Sequence, residues 1–518
     1  MQSAAKHLAC FNYSMTIRLL PQARCFATLC MTGDFYLIFP MKLKPLFLLC
    51  LTLFLPLLSR AQLRLASLFT DNMVFQQQAE CAVWGWAKAG STITVNPSWG
   101  KQKYAAQADA AGKWRLKIKT PAAINTPYEL TISGDGPATK LKNVLVGEVW
   151  LCGGQSNMEM PMKGFKGQPV LGSNEAILHS RNEQLRLYTV PRSSVTEPQE
   201  NSKPSPWRVA EPEAVSNFSA TAYYFGRVLQ EQLRVPVGLL HCSYSGSFIE
   251  AWMDAENLRQ FAGVKIPAKG DTIKLVSRTA TTLYNGMLYP IEGYGIKGAI
   301  WYQGESNYDR PDEYEKMFAT MVKQWRTKWG MGDFPFYYAQ IAPFDYTRTS
   351  KNKGGKYNSA FIRDAQRKIQ DQVPNTSMAV LLDIGEETSI HPMRKEPGGT
   401  RLALLALAQT YGLKGFGALS PTYESMTVKD NTVAVRFKNS PMGMTTFGQE
   451  LTGFEIAGAD QKWYPAKATI AGSVINVSAE AVKTPVAVRY AFQDFTRATL
   501  FSNEGLPVSS FRTDNWAQ

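Results

Sequence analysis

The sequence predicts an α/β protein in which a parallel sheet, covered by helices, carries β-rich modules at both ends. Three observations predict it: short alternating runs up to about Lys142, apolar strands alternating with amphipathic stretches from Asn143, and a return of strand patterning after Lys414. A chain of 518 residues is too long for one hydrophobic core, so several domains are expected. With 45% hydrophobic and 19% charged residues it has the composition of a globular protein, which excludes a disordered chain.

Taken in order, the first element is a leader. "MKLKPLFLLCLTLFLPLLSRAQ", Met41 to Gln62, has a basic start, an apolar stretch and a small-residue end, the pattern of a secretory signal peptide cleaved after Ala61. Its apolar part is short for a membrane span and is broken by Pro56, so no stable membrane insertion is expected after cleavage. Met41 then reads as the initiator and residues 1–40 as a misassigned extension. Cys50 is followed by further apolar residues, which argues against a lipoprotein site.

Residues 62–142 hold short runs such as "CAVWGWA", "STITVNP" and "YELTISG" between Gly, Pro, Asn and Asp, the rhythm of an all-β module. Residues 143–413 change to apolar strands, "NVLVGEVWLC", "VPVGLLHC", "IKGAIWYQ", "FPFYYAQIA" and "SMAVLLDIG". Amphipathic segments alternate with them: "SATAYYFGRVLQEQL", "DEYEKMFATMVKQWRTKW", "NSAFIRDAQRKIQDQ", and a helix beginning near Thr400 in "TRLALLALAQTYGL". That alternation implies parallel strands with helices on both faces. Residues 414–518 return to strands in "NTVAVRFKN", "LTGFEIAGA", "SVINVSA" and "PVAVRYAF", leaving open whether the two β flanks pack as one unit. The arrangement suits a lone chain or a dimer.

The formal charge of +14 falls to +9 beyond residue 61, because the leader holds six basic residues and one acidic one. The excess is spread thinly, without a basic run interleaved with aromatics, so no nucleic-acid partner is expected. A basic surface does favour an anionic substrate. Past the leader only Cys81, Cys152 and Cys242 remain, an odd number without zinc spacing; the last two end apolar runs and read as buried thiols.

The chemistry begins at "VWLCGGQSNMEMPM", where an apolar strand stops at Gly153 and Gly154 and sets Ser156 directly after the turn. A tight connection explains glycines; a nucleophile at the carboxyl end of a parallel strand explains the serine as well. A nucleophilic serine needs a base. Of the four histidines, His7 lies in the leader, His179 in a polar surface-like stretch, and His241 in an apolar setting that suits a packed ring. His391 follows the strand "SMAVLLDIG" in a loop that leaves the same sheet edge as Ser156, stiffened by Pro392. A third strand ends in "WYQGESN": Glu305 is placed to orient an imidazole, and an amide of Gln303 or Asn307 to donate to an oxyanion. A fourth ends in "CSYSGSF", where Gly246 brings a bare backbone N–H to the same edge.

These residues resemble a known family. "GQSNMEM", "YNGM", "WYQGESN" and "DIGEETSIHPMRK" are similar to motifs of the SGNH (GDSL-like) hydrolases, specifically the sialate O-acetylesterase group. The likeness extends through "LFTDNMVFQ", "VWGWA", "GKWRLKI", "LVGEVWLC", "LTGFEIAGAD" and "NEGLPVSSFRTDNW", covering nearly all of Leu63 to Trp516. It implies a three-layer, flavodoxin-like hydrolase domain with β-sandwich-like flanks, and a serine esterase needing neither metal nor cofactor. Ser156 would be the nucleophile and His391 the base, with the N–H groups of Ser156 and Gly246 and the Gln303 amide as oxyanion donors. Relatives often carry an aspartate two positions before the histidine, where this chain has Ser389; the expected acid is therefore Glu305, with Asp383, Glu386 and Glu387 as stand-ins. The family's glycine pair is reduced to Gly246 in "SGS". The implied substrate is an O-acetylated sugar: a sialic acid, whose carboxylate Arg310 would meet, or acetylated xylan or another glycan. A carbohydrate-binding protein with a decayed site is the more distant alternative.

Overall fold

The computed structural model describes residues 63–516, which form one compact unit. The expected extension (1–40) and signal segment (41–61) lie outside the described residues. The organising element is a single 16-residue strand, β1 (Thr139–Gly154), whose residues from Val144 onward are all buried. Its first half pairs antiparallel with Ile124–Ser133 and parallel with Val74–Gln76 of the N-terminal flank. Its second half lies at the centre of the parallel sheet. The boundary expected between residues 142 and 143 thus falls inside a continuous strand, because hydrogen-bond pairing passes from one module to the other with no turn between.

The chain continues through β2 (Asn182–Thr189), β3 (Val237–Ser243), β4 (Gly298–Tyr302), β5 (Phe336–Ala339) and β6 (Thr376–Ala379). The spatial order is β2-β3-β1-β4-β5-β6, all parallel, with Arg208–Ala210 added antiparallel at the β2 edge. The chain fills one side of β1 and then the other, so the order reverses beside β1, the place where open α/β sheets leave a crevice at their carboxyl ends.

Period-2 alternation along β1 explains the layers. Val149 and Leu151 enter one core with Met317 and Trp325 of α3 (Pro311–Trp329) and Ile362 and Ile369 of α4 (Ala360–Gln372). Trp150 and Cys152 enter the other, with Phe225 and Leu229 of α2 (Ala220–Leu233) and Leu402 and Leu405 of α5 (Lys395–Leu405). Helix α5 starts five residues before the expected Thr400. Pro397 is tolerated in its first turn, and Gly399 lets it approach α2, since a Cβ there would lie 2.5 Å from Thr221 O. Cys81, Cys152 and Cys242 are buried free thiols.

The C-terminal flank consists of two four-stranded sheets and a two-stranded one, and among the described residues none of its strands pairs with the N-terminal flank. It is tied to the parallel sheet through Arg363 of α4, a fully buried guanidinium that donates to the carbonyls of Ala491, Gln493 and Asp494 and to Ser510 Oγ. The two flanks are therefore not one unit: the N-terminal one runs into the parallel sheet through β1, and the C-terminal one is attached through α4.

Candidate active site

The end of β1 is shaped by two glycines. A Cβ on Gly153 would stand 2.9 Å from the Trp301 ring, and one on Gly154, which has φ 146°, would stand 2.2 Å from Tyr302 O. Only glycine permits this approach of β1 to β4. Backbone bonds then fix the turn: Gln155 N donates to Tyr302 O (2.9 Å) and Tyr244 N to Gly154 O (3.1 Å). Ser156 opens the one-turn helix α1 (Ser156–Glu159) at the mouth of a cleft of about 520 Å³.

His391, Gly246 and Glu305 line the same cleft, with Gln168, Arg278 and Lys351. Gly246 has φ 69° and follows β3. Among the described residues neither the Ser156 nor the Gly246 N–H is given to a protein acceptor. The loop carrying Gly246 is held by the buried Glu159 of α1, which accepts from Ser245 N (2.6 Å) and Ser245 Oγ and is met by Arg192. One short helix therefore presents the serine and anchors the glycine loop.

The His391 ring does not bond to Glu305. Its Nδ1 lies 2.5 Å from Oε1 of Gln168, and Phe165 packs edge-on against it at 5.5 Å between ring centres. Burial, aided by the Lys395 cation, pushes its pKa down to about 4. The imidazole is thus neutral near pH 7; with Nδ1–H donated to the amide oxygen, the Nε2 lone pair is left as a base.

Glu305 instead accepts from Asn157 Nδ2 (2.5 Å), while its Oε2 is buried without a partner. Asn157 Nδ2 also donates to Ile390 O (3.0 Å), and Asn157 Oδ1 accepts from the buried Lys395 Nζ. Asn157 stands between the carboxylate and the histidine loop, which is why Glu305 reaches that loop only through it. Burial raises the Glu305 pKa and pushes Lys395 down to about 7.

Other expected residues are committed elsewhere. Gln303 is fully buried and spends its Nε2 on Asn307 Oδ1 (2.7 Å) and Ser247 O (3.1 Å), so it is not an oxyanion donor in this arrangement. Asn307 donates to Glu250 Oε2 (3.0 Å) and accepts from Ile249 N (3.1 Å), tying the strand end to the 247–250 segment. Arg310 is paired with Glu250 (2.7 Å) and Glu313 (3.0 Å) rather than offered to the cleft; the cations that line it are Arg278 and Lys351, the latter paired with Asp309 (2.5 Å). Asp383 is held bidentate by Arg401 at 2.6 and 2.7 Å. Glu386 accepts from Met393 N (2.6 Å), and Glu387 lies 3.9 Å from Arg348. His241 is buried with its Nε2 2.5 Å from Ser243 Oγ.

The sequence reading missed Asn157, Glu159, Lys395 and Gln168. The first two lie inside "GQSNMEM" and Lys395 inside "HPMRKEP", so the motifs contained them; Gln168, in "GFKGQPV", carries no signal of its own.

A serine, a neutral histidine and free backbone donors in one cleft at the carboxyl edge of a parallel sheet define the class: this chain is an esterase. The family model "Carbohydrate esterase, sialic acid-specific acetylesterase" matches residues 146–392. The sialate O-acetylesterases of Pongo abelii and Homo sapiens are 27% and 28% identical to it, the first over 83% of this chain and 87% of its own, the second over 70% and 74%. A carbohydrate acetylesterase of Xanthomonas citri, known as a crystal structure, is 34% identical with a TM-score of 0.79, covering 88% of this chain and 100% of that one. The chain belongs to the sialate O-acetylesterase family.

Proposed function

We propose that this chain is a secreted or periplasmic serine esterase of the SGNH type that removes O-acetyl groups from sialic acids through an acetyl-serine intermediate. The observation that carries the reading is the convergence of Ser156, His391 and Gly246 on one cleft. Ser156 Oγ attacks the acetyl carbonyl carbon while His391 Nε2 takes its proton. The oxyanion is met by the N–H groups of Ser156 and Gly246. Collapse expels the sugar oxygen, which takes the proton from His391, and water repeats the sequence to release acetate. The strand-order reversal beside β1 supports the SGNH assignment.

Substrate choice rests on charge. Arg278 lines the cleft in the role expected of Arg310 and suits a sugar carboxylate; Lys351, on the same cleft, is paired with Asp309. The 34% identity to an enzyme described only as a carbohydrate acetylesterase favours a second reading, the same chemistry on a neutral acetylated glycan. The test is acetate release by the purified protein from O-acetylated sialic acid and from acetylated xylan, with Ser156→Ala as blank. Serine-dependent release from the sialic acid is expected, with Ser156→Ala at least about 10⁴-fold slower. Release from xylan alone would replace the substrate assignment, and wild-type rates in Ser156→Ala would end the mechanism. A folded protein that a covalent serine probe does not label would be a binding module instead. Secretion rests on the Met41–Ala61 pattern, and fractionation of expressing cells reads it directly.

A further inference from the structure

We propose that Gln168 is the positioning residue of His391, occupying with a neutral amide the place that a carboxylate takes in a Ser-His-Asp arrangement; this rests on the serine-esterase reading above. Three observations converge. The amide oxygen of Gln168 lies 2.5 Å from Nδ1, the ring atom that the orienting group of such an arrangement contacts. No carboxylate among the described residues hydrogen-bonds to the His391 ring: Glu305 bonds to Asn157 and Asp383 to Arg401, while Glu386 accepts from Met393 N. Gln168 also lines the catalytic cleft itself, on the segment whose Phe165 packs against the imidazole.

A glutamine does half of what an acid does. Its oxygen accepts only from Nδ1–H, so it selects the tautomer in which the Nε2 lone pair is left to act as base. It carries no charge, so it does not stabilise the imidazolium formed when the Ser156 proton is taken. The cation must be tolerated among the groups facing the ring. These are Lys395 from α5, whose charge acts on the ring, and the groups lining the cleft on either side of it: Glu305 after β4, Glu386 on its own loop, and Arg278 and Lys351. The wild-type rate therefore stays high well below the usual histidine range, because His391 resists protonation. A carboxylate at 168 would favour the protonated ring and move the acid limb of the rate profile to higher pH.

The experiment measures kcat and KM against pH for the wild type, Gln168→Ala and Gln168→Glu, with Ser156→Ala assayed alongside. Ser156-dependent release in the wild type keeps the serine-esterase reading in place whatever the Gln168 variants do, so the two ideas fail separately. Gln168→Ala is expected to lose about 100-fold or more in kcat with KM little changed, since only the orientation of the base is lost. Gln168→Glu is expected to retain activity at neutral pH and to shift the acid limb of kcat/KM up by about one pH unit or more. Gln168→Ala within about twofold of wild-type kcat, or a Gln168→Glu acid limb that coincides with the wild-type one, would overturn the proposal. Should Gln168→Ala not fold, as judged by its thermal melt, the limb of the nearly isosteric Gln168→Glu protein decides alone.

Discussion

The two halves of the cleft are held in different ways. On the Ser156 side, backbone holds backbone: β1 is locked between β3 and β4, Gly154 has no room for a Cβ, and main-chain bonds from Gln155 and Tyr244 close the turn. On the His391 side, side chains do most of the holding: Asn157 grips Ile390 O, Glu386 grips Met393 N, and Gln168 meets the ring. The first kind of anchorage has few ways to move. The second depends on a handful of polar atoms, several of them buried and mutually dependent, and is the part that small changes in sequence or pH will disturb.

Substitutions separate the two. The largest effect is expected from Gly154→Ala, which puts a methyl group into Tyr302 O at a positive φ; a loss of about 3 kcal/mol or more, or failure to fold, should appear in urea unfolding. Asn157→Ala attacks the other half. It leaves Glu305 and Lys395 buried without their shared partner and frees Ile390 O, so a loss of about 3 kcal/mol is expected together with a fall in kcat.

Lys395→Met sharpens the comparison through pH. In the native protein burial lowers the Lys395 pKa to about 7 from 10.5, so over that window the unfolded chain binds the extra proton. Stability should then rise with pH from about 7 towards 10.5, and denaturant titrations of Lys395→Met should lack that rise. Because Lys395 also holds the His391 pKa down, the variant's acid limb should move to higher pH. The smallest effect is expected from Arg278→Ala: a KM about tenfold higher for an anionic sugar ester and unchanged for acetylated xylan, measured in parallel assays.

The same division explains what could be read from the chain. The strands of the parallel layer follow from continuous apolar runs and its helices from a period of 3.6, and the glycine pair before Ser156 marked a close approach because glycine leaves a visible trace in sequence. The start of α5 was misplaced since Pro397, Gly398 and Gly399 resemble a loop, whereas packing against α2 requires small residues there. At "WYQGESN" the polar cluster was visible but its direction was not: Gln303 and Asn307 turn toward Ser247 and Glu250, and Arg310 is absorbed by two carboxylates. Gln168 had no local mark, because what singles it out is a contact with a ring 223 residues away.

β1 has a consequence for how the molecule is inherited and altered. The strand that ends at the nucleophile begins in the N-terminal flank, where Ile124–Ser133 and Val74–Gln76 pair with it. A chain trimmed back to residue 143 would lose both partners and leave the first residues of β1 as unpaired strand, an invitation to aggregate. The flank is thus no detachable appendage that could be exchanged like a domain on a linker. Any lineage that remodels it to meet a new surface is also remodelling the root of the strand that aims Ser156.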